Sequence, residues 1–195
     1  MTDTCPESRV TMIREHLDGI PQFELPEGFS FRMYRPGDEA DWLAVHRRAD
    51  RYDERIVYEP ETFEREFARN VEALRQRQYY LCEASGQAIG TATAWFDNNY
   101  RGKVYGRVHW VAIVPEFQGR GLAKPLLTAV CNRLRELGHV RACLGTYSAR
   151  TPAINLYLKF GFVPEIKSED ELRAWRLVRQ RLPDSPLAQM DLLPP

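Results

Sequence analysis

The chain contains no run of about 18 or more apolar residues, the length a membrane-spanning helix needs. Its first residues hold Asp3, Cys5 and Pro6, where a secretory leader would place a basic stretch and then an apolar one. No membrane partner is expected, and the location is read as cytoplasmic. Net charge is also missing. Lys plus Arg and Asp plus Glu both number 27, so the chain lacks the broad positive field that non-specific nucleic-acid binding requires, and no nucleic-acid partner is expected. The four cysteines, Cys5, Cys82, Cys131 and Cys143, form no C-x-x-C pair and have no histidine at ligand spacing. They read as reduced structural thiols, with no metal site. There is no internal repeat.

What is present is alternation of elements. A length of 195 residues accommodates one domain with a substantial core. Residues 1–25 and 183–195 are rich in proline and polar residues and read as an N-terminal arm and a C-terminal tail around a single domain at 26–182. Phe29 to Tyr34 reads as a strand, followed by a helix to Ala49 that Asp38 caps. Phe63, Phe67, Val71 and Leu74 recur at helical spacing after Pro60 and predict one helix ending before Gln78. Strands at Tyr79 to Ala84, Ala88 to Trp95 and Val104 to Val114 form an antiparallel meander, with Asp97 to Gly102 as a polar tip. Leu122 to Leu137 carries a helical apolar stripe closed by Gly138, and Val140 to Tyr147 then returns as a parallel strand. A helix from Thr151 ends at Gly161, before a short strand at Phe162 and Val163. Ser168 and Glu171 have capping-box spacing for a last helix to Arg181, with Trp175 buried on its own domain or on a second subunit in a homodimer.

The most informative stretch is the turn between the long strand and its helix, Gln118-Gly119-Arg120-Gly121-Leu122-Ala123. A strand that ends in glycines and opens a helix presents unpaired main-chain N–H groups, which suit a phosphate or pyrophosphate. Pro125 tolerates only the first turn of a helix, so the helix cannot begin much before Gly121, and the amides from Gly119 to Ala123 face outward. Neither common nucleotide motif fits. Lys124 is preceded by Ala123 and followed by Pro125, without the hydroxyl of a P-loop, and Gly119-x-Gly121 lacks the third glycine of a dinucleotide fingerprint.

The turn with the strand before it, Val111-Ala112-Ile113-Val114-Pro115-Glu116-Phe117 through Ala123, resembles the acyl-CoA signature of the GNAT superfamily, [Q/R]-x-x-G-x-[G/A], filled by Gln118, Gly121 and Ala123. Ala153-Ile154-Asn155-Leu156-Tyr157-Leu158-Lys159-Phe160-Gly161-Phe162 resembles its second signature, A-I-x-L-Y-x-K-x-G-F. The resemblance covers about Phe29 to Pro164. It implies an α/β fold with a central mixed sheet of six to seven strands, an antiparallel meander followed by a splayed parallel pair, flanked by helices. It further implies that acetyl-CoA rests its pyrophosphate on Gln118, Gly119, Arg120, Gly121, Leu122 and Ala123. The pantetheine arm would lie along Ala112, Ile113 and Val114, with the N–H of Val111 or Ala112 facing the thioester oxygen.

By the same resemblance Tyr157 is the general acid for the departing thiolate or the group that stabilises it. His109, on the signature strand, is the candidate base, because the earlier position used by some members is Arg107, which cannot accept a proton. One position departs from the pattern: Arg150 stands where many members have an asparagine that contacts pantetheine. The segment Asp50 to Arg55, with Tyr52 and Tyr58, occupies the region that commonly covers the acceptor cleft, and reads equally as a solvated mixed-charge loop. The expected activity is acetyl transfer from acetyl-CoA to a primary amine of a small molecule or peptide. A non-catalytic acyl-CoA-binding module and a transferase of longer acyl chains are the alternatives.

Overall fold

The structure, a computed structural model, describes residues 8–50 and 57–193. Among them are seven strands: β1 (Arg9–Arg14), β2 (Phe29–Met33), β3 (Gln78–Glu83), β4 (Ala88–Tyr100), β5 (Lys103–Ile113), β6 (Ala142–Tyr147) and β7 (Val163–Glu165). Six helices accompany them: α1 (Glu39–Ala49), α2 (Pro60–Phe67), α3 (Val71–Arg77), α4 (Ala123–Glu136), α5 (Thr151–Lys159) and α6 (Glu169–Arg181). The described residues group into two compact units, 21–139 and 8–20 with 140–193.

In the unit at 21–139 the strands pair in the order β2-β3-β4-β5, each antiparallel to the next. The first eight residues of β4, from Ala88 to Trp95, are all buried, as a strand covered on both faces requires. Helices α1 and α4 both pack on it. Helix α4 buries Leu126, Leu127, Val130, Cys131 and Leu134 completely, the stripe its sequence predicts. It ends at Gly138, whose φ of +84° lets the N–H of His139 reach back to the carbonyl of Leu134 at 3.0 Å.

Two local expectations change here. The polar tip between β4 and β5 is not a loop, because Asp97 to Tyr100 continue the strand and Tyr100 pairs with Lys103. Arg101 (φ +55°) and Gly102 (φ +70°) alone make the turn, the two left-handed residues a two-residue hairpin needs. The single helix expected after Pro60 is broken into α2 and α3 by one tight turn at Ala68–Asn70. Neither glycine nor proline marks that break.

In the other unit β1 lies between β6 and β7, antiparallel to both. The N-terminal arm expected at 1–25 is corrected accordingly: Val10, Met12 and Ile13 of β1 are buried core residues. Its six residues are apolar in alternation only between two arginines, and their burial depends on partners more than 125 positions away, Tyr147 to Ala142 and Glu165 to Val163. The Arg14 side chain donates to the carbonyls of His16, Phe160 and Asp18, stitching the strand to the end of α5. Helix α6 buries Leu172, Trp175 and Val178 and packs on β1, so its apolar face is covered within its own unit. Ser168 caps it, accepting from the N–H of Glu171 at 3.2 Å, while the Glu171 carboxylate accepts from the N–H of Lys167. The stretch read as a C-terminal tail is anchored by Leu187, fully buried in a one-turn helix at Pro186–Gln189.

Candidate active site

The β5 ladder ends where the N–H of Val114 donates to the carbonyl of Ile89 at 2.9 Å. One tight turn at Pro115–Phe117 follows, and the Gln118 side chain then reaches back, its Nε2 donating to the carbonyl of Ile113 at 2.7 Å. Gln118 therefore braces the turn from inside. Gly119 (φ +76°) and Gly121 (φ +79°) take left-handed backbone, and α4 starts at Ala123, in keeping with the constraint set by Pro125. The N–H of Lys124 is the first after the turn to find a main-chain acceptor, Gly121 at 3.2 Å. Among the described residues, the amides of Gly119, Arg120, Gly121, Leu122 and Ala123 donate to no main-chain carbonyl. A Cβ added at Gly119 or Gly121 would meet nothing within 4 Å, so the turn is open at both glycines. The side chains beside it are cationic: Arg120 lies over the Phe117 ring at 4.7 Å, and Lys124 Nζ over the Phe23 ring at 5.3 Å. Five amides without main-chain acceptors at a helix start, an open turn and two cations fit a pyrophosphate.

Upstream on the same strand the ladder is interrupted. Thr91 pairs with Ala112 and Thr93 with His109, so two β5 residues, Trp110 and Val111, stand opposite Ala92 alone. This is a β-bulge, and Trp110 within it has φ +51°. Consecutive residues of a regular strand point to opposite faces. The bulge cancels that rule, because His109 and Trp110 both reach the same oxygen of Glu66. His109 Nε2 is 3.2 Å from Glu66 Oε2, and Trp110 Nε1 donates to it at 3.1 Å. The hydrogen bond with His109, aided by that from Trp110, holds the Glu66 carboxyl down at about 2, well below the ordinary glutamate value. Glu66 is thus a carboxylate across the working pH range.

Aromatic rings wall this cluster. Trp110 meets Trp42 at 5.0 Å and His46 at 5.1 Å, while Phe67 meets His109 at 6.0 Å. Tyr58, 5% exposed, lies 6.1 Å from Trp110 and donates to Asp50 Oδ2 at 2.7 Å. The remainder of the segment read as an acceptor-covering loop, residues 51–55 with Tyr52, lies outside the described residues. Glu66 and Trp110 were not singled out as site residues by sequence. A signal for Glu66 exists: it sits three positions after Phe63 and one before Phe67, which places a charge on the apolar stripe of α2.

In the unit at 8–20 with 140–193, Tyr157 lies on the buried face of α5 at 7% exposure, its ring 6.3 Å from Phe162 in an edge-on contact. Asn155 Oδ1, on the same helix, is buried with no hydrogen-bond partner among the described residues. Arg150, at the position where the signature departs from its pattern, precedes the helix with its guanidinium 5.2 Å from the Tyr147 ring centroid. The turn and His109 belong to one unit and Tyr157 to the other. Among the described residues there is no group of three or more His, Cys, Asp or Glu side chains that could hold a metal ion, and no helix long and apolar enough to cross a membrane.

Comparison with known proteins places these features in one lineage. Residues 42–162 match the model of the Acetyltransferase (GNAT) family. Mycothiol acetyltransferases from Pseudarthrobacter chlorophenolicus and Saccharomonospora viridis are 31% and 33% identical over 153 and 158 residues, 73% of this chain in both cases. Those alignments cover 45% and 48% of the relatives, so the chain spans about half the length of the curated relatives it matches. A GCN5-related N-acetyltransferase from Sphaerobacter thermophilus shares the fold with a TM-score of 0.67 at 23% identity, covering 82% of this chain and 49% of that one. The ribosomal-protein-S18-alanine N-acetyltransferase from Escherichia coli does so with 0.55 at 18%, covering 69% and 77%. With the family model extending over well over half of its residues and both signatures in order, the chain belongs to the acetyltransferase (GNAT) family.

Proposed function

We propose that this chain is an N-acetyltransferase that moves an acetyl group from acetyl-CoA to the primary amine of a small molecule or peptide by direct attack. The observation that carries the reading is the row of main-chain amides at 119–123, unpaired in the main chain, at the end of the strand that bears His109. Acetyl-CoA supplies the thioester carbonyl and a thiolate leaving group. The amides of Gly119 to Ala123 hold its pyrophosphate, with Arg120 and Lys124 adding positive charge. The main chain of Val111, Ala112, Ile113 and Val114 pairs with the pantetheine arm. The register slip leaves Trp110 and Val111 without one-to-one partners on β4 before Ala112 rejoins the ladder opposite Thr91, and the N–H of Val111 or Ala112 is the donor to the oxyanion.

His109 accepts the proton that the attacking amine loses, and Tyr157 donates one to the thiolate, so the products are an amide and a thiol. The described thiols, Cys82, Cys131 and Cys143, are buried, and no covalent enzyme intermediate is required. Buried reduced thiols also fit a cytoplasmic location.

The test is thermal denaturation with acetyl-CoA, coenzyme A or ATP, followed by acetyl transfer to a panel of amines. The relatives' name makes the mycothiol acetyltransferase substrate the first to try. Ligand at 100 times its Kd stabilises the folded state by about 2.7 kcal/mol, which is readily seen as a shift in Tm. The expected result is a shift with both coenzyme A forms and none with ATP, with at least one amine turned over. No shift with any ligand sinks the reading. A shift without turnover of any amine reduces it to acyl-CoA binding.

A further inference from the structure

Resting on the reading of His109 as the base, we propose that Glu66 is its positioning residue: the carboxylate keeps the imidazole proton on Nε2, puts the ring lone pair on Nδ1, and through Trp110 locks the bulge that presents the ring. Three observations carry this. First, one carboxylate oxygen, Glu66 Oε2, lies within hydrogen-bond distance of both His109 Nε2 at 3.2 Å and Trp110 Nε1 at 3.1 Å. An indole N–H can only donate, so that oxygen is an acceptor, and a carboxylate beside an imidazole nitrogen requires that nitrogen to carry the proton. The tautomer follows from the partner.

Second, the backbone is arranged to make the double contact. A tryptophan at φ +51° is strained relative to an extended residue, and a regular strand would send His109 and Trp110 to opposite faces. Strain of this kind persists only where the surroundings over-determine it. Here they do so through the Glu66 bond and the rings of Trp42 and His46.

Third, the strand itself supplies no carboxylate at this point. Arg107, two residues before His109, is cationic, and it attracts Glu66 rather than replacing it. The carboxylate comes instead from α2, at a helical position between Phe63 and Phe67 that packing would otherwise fill with an apolar residue.

The consequence for catalysis is specific. When an amine proton arrives at Nδ1 the ring becomes an imidazolium, and Glu66, already anionic, offsets that charge without itself being protonated, since its carboxyl is held at about 2. The proton then leaves from Nδ1 to water, and both residues are restored. Among the described residues, the titratable or charged groups around the pair include Arg65 on α2, its Nε 4.0 Å from Glu66 Oε1, Arg107 on β5, and His46 on α1 and Tyr58, both in contact with Trp110. The facing residue of β4, Thr93, does not titrate.

The experiment is NMR of imidazole nitrogens in the full chain, with kinetics beside it. In the unmutated protein at pH 8 the nitrogen shifts of His109, assigned by its loss in His109→Gln, are expected to report the Nε2–H tautomer. In Glu66→Gln the His109 titration midpoint is expected to fall by about one unit or more. The acidic limb of the kcat/KM profile should move down by the same amount, and Glu66→Asp should restore part of both. A predominant Nδ1–H tautomer, or a midpoint unmoved in Glu66→Gln, overturns the proposal. The tautomer measurement needs no variant to fold other than the one used for assignment. Neither NMR readout needs turnover, so an inactive protein with an intact pair would count against His109 as base and not against the pairing.

Discussion

Two places along one strand and its exit turn adopt left-handed backbone, and they do it with opposite residues. At the turn, Gly119 and Gly121 carry φ values of +76° and +79°, with open space where a Cβ would stand. At the bulge, Trp110 carries +51° with the largest side chain available, packed against Trp42 and His46. Glycine adopts this conformation without steric cost, whereas tryptophan accepts strain. The difference follows from what each place must offer. The turn presents main chain, and its two glycines take the left-handed backbone with no side chain beside the amides at those positions. The bulge presents side chains, and its irregular backbone puts two neighbouring rings on one carboxylate.

This contrast predicts the effects of substitution, beginning with the largest. His109→Ala should lower kcat about 100-fold or more, the usual range for losing a general base, while the acetyl-CoA shift in Tm persists. An unchanged kcat would place the base elsewhere. Gly121→Val should do the reverse, weakening acetyl-CoA at least about tenfold by calorimetry, since a β-branched residue at φ +79° forces the amides out of line. Binding equal to that of the unmutated chain would return the turn to a purely structural role. Trp110→Gly removes strain as well as packing, so the two effects oppose. A net loss of about 2 kcal/mol in urea unfolding is expected, below the 3 to 5 kcal/mol typical of a buried tryptophan, because Trp110 is only partly buried and its strain is relieved. A stabilised variant would show that packing does not maintain the bulge.

The pH dependence of stability sharpens the same comparison. The Glu66 carboxyl is depressed in the folded state to about 2, so the stability it contributes is complete above the ordinary glutamate value near 4.5 and is lost as pH falls toward 2. The gap in Tm between the unmutated chain and Glu66→Gln should therefore close between about pH 4.5 and 2, and a gap constant over that window would contradict the ion-paired state. The smallest effect belongs to Arg120→Ala. Its contact with Phe117 is exposed, and about 0.5 kcal/mol of stability is at stake, with acetyl-CoA affinity reduced only modestly.

The turn was legible because everything it needs is adjacent: two glycines, a proline that limits the helix start, and the apolar run before them. Helix α4 and the capping serine of α6 were legible for the same reason. Strand β1 was not, since six residues near the start become core only when β6 and β7 arrive from the other end of the sequence. The β4–β5 hairpin was misjudged because polar Asp97, Asn98 and Asn99 look like a loop, yet a long exposed strand end tolerates them. His109 was read as the candidate base from its place on the signature strand. Its partner was not singled out, because 43 residues separate Glu66 from it.

The sequence by itself determined the alternation of strands and helices, the phosphate-suited turn and the family, all of which rest on residues within a few positions of one another. Only the tertiary structure decided which carboxylate meets His109 and that the indole of Trp110 shares it. A β-bulge is a property of two paired strands, and the direction of a side chain within it depends on the register of a partner that no local pattern encodes.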